Sequence, residues 1–273
     1  MDQLILMTFF TTFGLVLFKF GKSGKKELQT KLSDSGKSST KKKFEKDTPE
    51  TQLKTSKEKK KYSLKPILPS KNLTDEYNRF KLFSDVKDFN FTQHLRNGIQ
   101  KGLTQNYKMA LEDFSNAIEL NQLEPVGYYC RAITKLILKN YESAISDFAE
   151  CVKLQMKEQN IFYYRGLANY AVRDFDNAIG DFLQFVKTES NFDEAYFNLA
   201  LCYKQKKDYQ KALKYFTDTI TKNPLQGTAY FERGMIKNSL KDKEGCCNDL
   251  KKAMELGHLE AYYYIKELCE IKI

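Results

Sequence analysis

From residue 91 onward, apolar and small residues recur at three- and four-residue spacing in runs of about a dozen residues, with short polar breaks between them. The stretch FYYRGLANYAVRDFDNAIGDF, residues 162–182, shows one unit of this pattern. Its spacing predicts two amphipathic helices joined by a turn at Arg173–Asp174. The unit then returns. Small residues stand at Ala110, Ala144, Ala178, Ala212 and Cys246, each 34 positions after the last. Twelve residues before each lies Gly98, Ala132, Gly166, Ala200 or Gly234, and four after each lies Phe114, Phe148, Phe182, Phe216 or Leu250. Sixteen before each lies His94, Tyr128, Phe162, Tyr196 or Tyr230. Tyr107, Tyr141, Phe175 and Tyr209 open the second helices, and Lys243 breaks that series.

The residue types follow from packing. Two antiparallel helices approach closely only where one side chain is small, and rings on either side fill the space left beside the crossing. One hairpin encloses too little interior to be stable alone, so stacking on its neighbours completes the core.

A helical hairpin repeating every 34 residues resembles the tetratricopeptide repeat (TPR) family. The resemblance covers residues 91–260 as five repeats, 91–124, 125–158, 159–192, 193–226 and 227–260, with 261–273 as a closing, solvating helix. It implies an all-α, right-handed solenoid. Two departures stand out. Phe185 occupies a place where Ala117, Cys151, Thr219 and Ala253 are small, and the family's inter-repeat proline appears only as Pro224.

Arg165 lies among apolar neighbours, and Arg131 and Arg233 hold the same place in other repeats. Each has an aspartate sixteen residues on, at Asp147, Asp181 and Asp249. In the third repeat Arg165 and Asp181 are equidistant from Arg173 at the turn, so an antiparallel hairpin sets them level. These are expected to be structural ion pairs within hairpins that hold one helix in register with the other. The fourth repeat has Leu199 and Tyr215 instead, and the first has Asn97 and Asp113.

The net charge is +10, yet it is unevenly spread. Fifteen lysines face six acidic residues between Lys19 and Lys61, whereas from Tyr62 onward 30 basic residues face 28 acidic ones. The repeat region is nearly neutral, which removes the support for a nucleic-acid partner. The tail, residues 21–63, is rich in Lys, Ser and Thr with few large apolar residues, and reads as a disordered linker. Its lysines suit either a self-repelling spacer or attraction to anionic lipid headgroups. Residues 64–90 read as a lead-in with a short helix in LTDEYNRFKLFSDV.

Before the linker, residues 3–20 contain an uncharged run from Gln3 to Phe18. A transmembrane anchor is the expectation, with the lysines following it on the cytoplasmic side. A cleaved secretory signal or a buried helix are the alternatives; the acidic start MDQ and the lack of a small-x-small site count against the signal.

Six cysteines lack any C-x-x-C spacing and the two histidines complete no metal set, so no metal or cofactor is expected. The cysteines fall on apolar helix faces and read as buried free thiols in a reducing compartment. Cys246 and Cys247 are adjacent, but neighbours on a helix point apart. No nucleophile–base pair or phosphate-cradling glycine loop is visible, so the chain reads as non-enzymatic.

What the TPR resemblance implies is a protein or peptide partner bound in the concave face, lined by the first helix of each hairpin. Carried over, the lining is Leu95, Tyr129, Tyr163, Phe197 and Phe231, with Ile99, Ile133, Leu167, Leu201 and Met235 four residues along. Packing between repeats is the competing role for these rings. The carboxylate clamp of co-chaperone TPR domains is excluded, because no register supplies its cations; over repeats one to three those places read Leu95, Ile99, Cys130, Asn160 and Tyr164. The function expected is a membrane-anchored adaptor facing the cytoplasm. The alternatives are an organelle-surface receptor for precursors, or a secreted or periplasmic protein if the N-terminal segment is cleaved.

Overall fold

Each apolar run becomes one helix. The structure, a computed structural model, describes residues 89–269. Among them are five helical hairpins: α1 (Phe89–Leu103) with α2 (Tyr107–Leu120), α3 (Pro125–Ile137) with α4 (Tyr141–Lys153), α5 (Asn160–Ala171) with α6 (Phe175–Thr188), α7 (Asp193–Gln205) with α8 (Tyr209–Lys222), and α9 (Gly227–Ser239) with α10 (Lys243–Glu255). A single helix, α11 (Leu259–Leu268), follows. The readings for 3–20, 21–63, 64–88 and 270–273 lie outside the described residues. Among the described residues no helix is long and apolar enough to cross a membrane. α1 starts two residues before the expected repeat boundary, and α11 two before the expected closing helix.

The turn inside every hairpin is built the same way. Gln105, Lys139, Arg173, Lys207 and Lys241 all sit in the left-handed region, with φ between 61° and 68°. One such residue ends the first helix and reverses the chain, although no glycine is used. The next residue opens the second helix. Asp174, Asp208 and Asp242 accept hydrogen bonds from the backbone N–H of Asn177, Lys211 and Gly245, while Asn106 and Asn140 at the same place make no side-chain cap.

Helix crossings depend on the small residues. A Cβ on Gly98 would lie 2.5 Å from the Phe114 ring, and one on Gly166 2.8 Å from that of Phe182. Phe114, Phe148, Phe182 and Phe216 are wholly buried at these crossings. Phe185, the expected anomaly, packs 5.1 Å from the Tyr163 ring and 5.4 Å from Phe192, so the larger side chain forms part of an aromatic cluster.

Hairpins stack in series. Each first helix packs on its own second helix and on the second helix before it, and only narrowly on adjacent first helices. That nearest-neighbour order makes the array a solenoid with a continuous core. Its C-terminal end is a separate cluster of Phe231, Cys246, Leu250, Ala253, Ala261 and Ile265.

The cysteine expectation needs correction there. Cys130, Cys151, Cys202 and Cys246 are buried free thiols, but Cys247 and Cys269 form a disulfide, with Cα atoms 5.7 Å apart. Cys246 turns into the core and Cys247, about 100° round α10, meets the chain as it leaves α11. Burial pushes the Cys151 and Cys202 thiols well up, which keeps them protonated and unreactive.

Candidate interaction surface

The first helices differ from the second ones in how much of their circumference is buried. In α8, only Ala212, Phe216 and Thr219 are buried, on one stripe. In α7 every residue from Phe197 to Tyr203 is buried, and Ala195 with them. α5 buries eight of twelve residues, including both Tyr163 and Tyr164. A helix that is apolar all round is covered all round.

Nine of the ten residues assigned to the groove belong to this buried set. Leu95, Ile99, Tyr129, Ile133, Tyr163, Leu167, Phe197, Leu201 and Phe231 are each no more than 8% exposed, and only Met235 is half-buried. The rings of the first series lean toward their own second helices. Tyr129 meets Phe148 at 5.9 Å, Tyr163 meets Phe182 at 5.8 Å and Phe197 meets Phe216 at 5.5 Å, while Phe231 stacks on His258 at 4.3 Å. These are packing contacts, the competing role named for these rings. The second series, Ile99, Ile133, Leu167 and Leu201, lies one residue past the crossing Gly or Ala, hence about 100° round the helix from it.

Polar groups on these helices are paired. Asn198 donates to the Tyr163 hydroxyl at 3.1 Å, joining α7 to α5, and burial raises the phenol pKa well above its ordinary value. Glu232, 1% exposed, pairs with Lys204 of the preceding first helix. Burial raises its carboxyl pKa, with the Lys204 charge opposing.

The arginine–aspartate pairs occur between the helices of three hairpins. Arg131 grips Asp147 through two bonds of 2.9 Å, Arg165 grips Asp181 at 3.0 and 2.6 Å, and Arg233 grips Asp249 at 2.9 and 2.7 Å. Two of these arginines also reach the preceding hairpin: Arg131 donates to Ser115 and Arg233 to Thr217, each at 3.1 Å. The pairs therefore tie hairpin to hairpin as well as helix to helix.

A further ligand of each aspartate was missed in the sequence. Lys135 lies 2.7 Å from Asp147 and Lys237 2.8 Å from Asp249, while Asn169 donates to Asp181 at 2.9 Å. In the first repeat, where Asn97 replaces the arginine, Lys101 takes Asp113 alone at 2.7 Å, with His94 at 3.7 Å. Lys101, Lys135 and Lys237 keep the 34-residue period, so the signal was present. Among the described residues, no cluster of His, Cys, Asp and Glu could hold a metal ion.

With this geometry in place, comparison with known proteins identifies the array. A family profile described as tetratricopeptide repeat matches residues 193–224, which hold α7 and α8. No curated protein matches the chain in sequence. Solved structures do match in fold. YrrB, described as a TPR protein with an unusual peptide-binding site, superimposes with a TM-score of 0.60 at 18% identity, over 72% of this chain and all of its own. MamA from Desulfovibrio magneticus RS-1, from its residue 41 on, gives 0.59 at 16% identity, over 62% of this chain and 96% of its own. A further MamA structure gives 0.57 at 20% identity, over 61% and 97%. The described region has the fold of a tetratricopeptide-repeat solenoid.

Proposed function

We propose that the chain is a scaffold that recruits a protein or peptide partner onto the face formed by its first helices, tethered to a membrane by residues 3–20. The observation that carries this reading is the contrast between α7 and α8. α7 is buried all round from Phe197 to Tyr203, a run apolar but for Asn198, whereas α8 has one buried stripe. A face of that kind suits an amphipathic helix or an extended apolar peptide. YrrB, of like fold, is described as having a peptide-binding site, which agrees with the assignment.

Tethering rests on the uncharged run from Gln3 to Phe18 and the fifteen lysines that follow it. The lysines would sit against anionic headgroups and hold the array in the cytoplasm. One observation favours a second reading, with the array outside the cytoplasm: the Cys247–Cys269 disulfide, a bond that persists mainly in oxidising compartments.

One experiment tests both placements. A tag after Ile273 follows the full-length chain through trypsin digestion of intact and opened cells. Protection in intact cells, cleavage after opening, and membrane retention of residues 3–20 support the cytoplasmic scaffold. Cleavage in intact cells, or a mature chain lacking its first twenty-odd residues, refutes that placement and leaves the oxidising one.

A further inference from the structure

We infer that the Cys247–Cys269 disulfide is a redox latch: while it is closed α11 covers the C-terminal end of the array, and its reduction by a dithiol releases α11 and uncovers the apolar face beneath. The latch is independent of what the first-helix face binds.

α11 stands where a sixth repeat would begin. Tyr264 and Ile265 lie 34 residues after Tyr230 and Phe231, so the helix follows the pattern of a first helix. At the crossing place, 34 residues after Gly234, it carries Leu268, a side chain too large for the close approach of a second helix. The first helices α3, α5, α7 and α9 each pack between their own second helix and the preceding one. Among the described residues, α11 packs on α10 alone to any extent.

Packing therefore holds α11 weakly. Of its ten residues only Ala261 and Ile265 are buried, against eight of twelve in α5. Its start, at His258, has no side-chain cap. Isolated helices shorter than about 12–15 residues are marginal in water. The disulfide adds the missing support by tying Cys269, just past the helix, to Cys247 on α10, a separation of 22 residues. A link across a loop of that length favours the docked form by about a hundredfold.

A reductant can reach the bond. Cys247 and Cys269 are half-buried, whereas Cys130, Cys151, Cys202 and Cys246 are buried. Cys246 belongs to the core cluster, where burial pushes its thiol up, so it does not exchange with its neighbour. Opening takes an outside dithiol. One of its thiolates attacks a sulfur of the pair and breaks the S–S bond, and its second thiol then resolves the mixed disulfide. Two electrons and two protons pass to Cys247 and Cys269, which become thiols, while the dithiol becomes a disulfide.

The face beneath α11 is apolar. Phe231, Leu250 and Ala253 share one cluster with Ala261 and Ile265, and the Phe231 ring is 5.5 Å from that of Tyr264. First helices pack on faces of this kind throughout the array. The closed form is thus a finished array, and the open form ends on an unfinished repeat.

The test uses the full-length chain, oxidised with glutathione disulfide, before and after excess dithiothreitol, together with the variant C247S/C269S. Iodoacetamide is expected to label neither Cys247 nor Cys269 in the oxidised chain. After dithiothreitol it should label both and leave the four buried thiols unlabelled. Amide exchange of residues 259–268 should speed by about tenfold or more on reduction, while α7 and α8 stay as protected as before. C247S/C269S should exchange at the fast rate with or without dithiothreitol.

Labelling of Cys247 and Cys269 in the oxidised chain would show that the bond does not form, and would overturn the inference. Equal protection of α11 in both states would overturn it too, since packing alone would then hold the helix. Loosening of α7 and α8 along with α11 would make the bond a support of the whole array rather than a latch. A C247S/C269S chain that still responds to dithiothreitol would assign the effect to other thiols, with the same result.

Discussion

The third and fourth hairpins share one geometry and hold it by different chemistry. In the third, Arg165 on α5 and Asp181 on α6 meet across the hairpin, and Asn169 completes the carboxylate's ligands. In the fourth, the same two places are Leu199 and Tyr215, and the place of Asn169 is Tyr203. There the Tyr203 and Tyr215 rings stack at 5.4 Å, nearly parallel, with the Lys211 ammonium 5.2 Å from the Tyr203 ring centre. The hairpin does not require an ion pair. It requires two complementary groups at that level, and the aromatic version leaves no charge to desolvate.

The largest way to break this comparison is to remove one partner. Asp181→Leu strands Arg165 in a site where its side chain is only 21% exposed, and should destabilise the third hairpin by about 3 kcal/mol. Arg165→Leu with Asp181→Leu should recover most of that loss, because it converts the site to the apolar kind found next door. Local amide exchange of α5 and α6 reads both; a double variant as unstable as the single one would contradict the account.

Next is the crossing itself. Gly166→Ala should cost about 1–2 kcal/mol net, since its Cβ would come 2.8 Å from the Phe182 ring, against a helix-propensity gain of up to about 1 kcal/mol. Ala200→Gly, the reverse change in the fourth hairpin, should also destabilise, by about 1 kcal/mol, as helix propensity is lost. Each hairpin is tuned to its own small residue, and chemical denaturation should find both changes unfavourable.

In the fourth hairpin, Tyr215→Leu keeps apolar area but loses the stacked ring, and should cost about 0.5–1.5 kcal/mol. The same measurement on α7 and α8 applies. A loss as large as that from Asp181→Leu would mean the aromatic pair is no gentler a device than the ionic one.

The smallest effect is on pH dependence. Burial raises the Asp181 pKa from its ordinary value of 3.8, with Arg165 opposing, so the folded chain holds that proton more tightly than the unfolded chain. Stability should fall as pH rises from the ordinary aspartate range to the raised folded value, then level off. The Arg165→Leu/Asp181→Leu chain should show a shallower slope in acid titrations, with Glu232, which burial raises likewise, among the groups that still titrate. Tyr215→Leu should leave the slope unchanged.

Much of this was legible in the chain. Hairpin limits could be read because helix faces, crossings and turns all repeat at 34 residues, and a period is a local property. The Arg–Asp pairs could be read because both members keep that period and the hairpin is antiparallel. Lys101, Lys135 and Lys237 carried the same signal and went unread. The packing of the groove rings was not legible, for a different reason. Periodicity states which residues share a face, but it does not state what lies opposite that face. Tyr129 and Phe197 share a face as expected, and Phe148 and Phe216 lie against it.

The sequence by itself determined the fold class, the number of hairpins and the partners within each, because these depend on side-chain spacing along one or two adjacent helices. Tertiary structure alone decided the relations between one hairpin and the next. It brought Cys247 to Cys269, gave Arg131 a second bond to Ser115 in the preceding hairpin, and closed Ile99, Ile133, Leu167 and Leu201 while leaving Met235 half-open. Such contacts depend on how far one hairpin turns relative to the next, an angle set by the summed packing of whole helices rather than by any single residue.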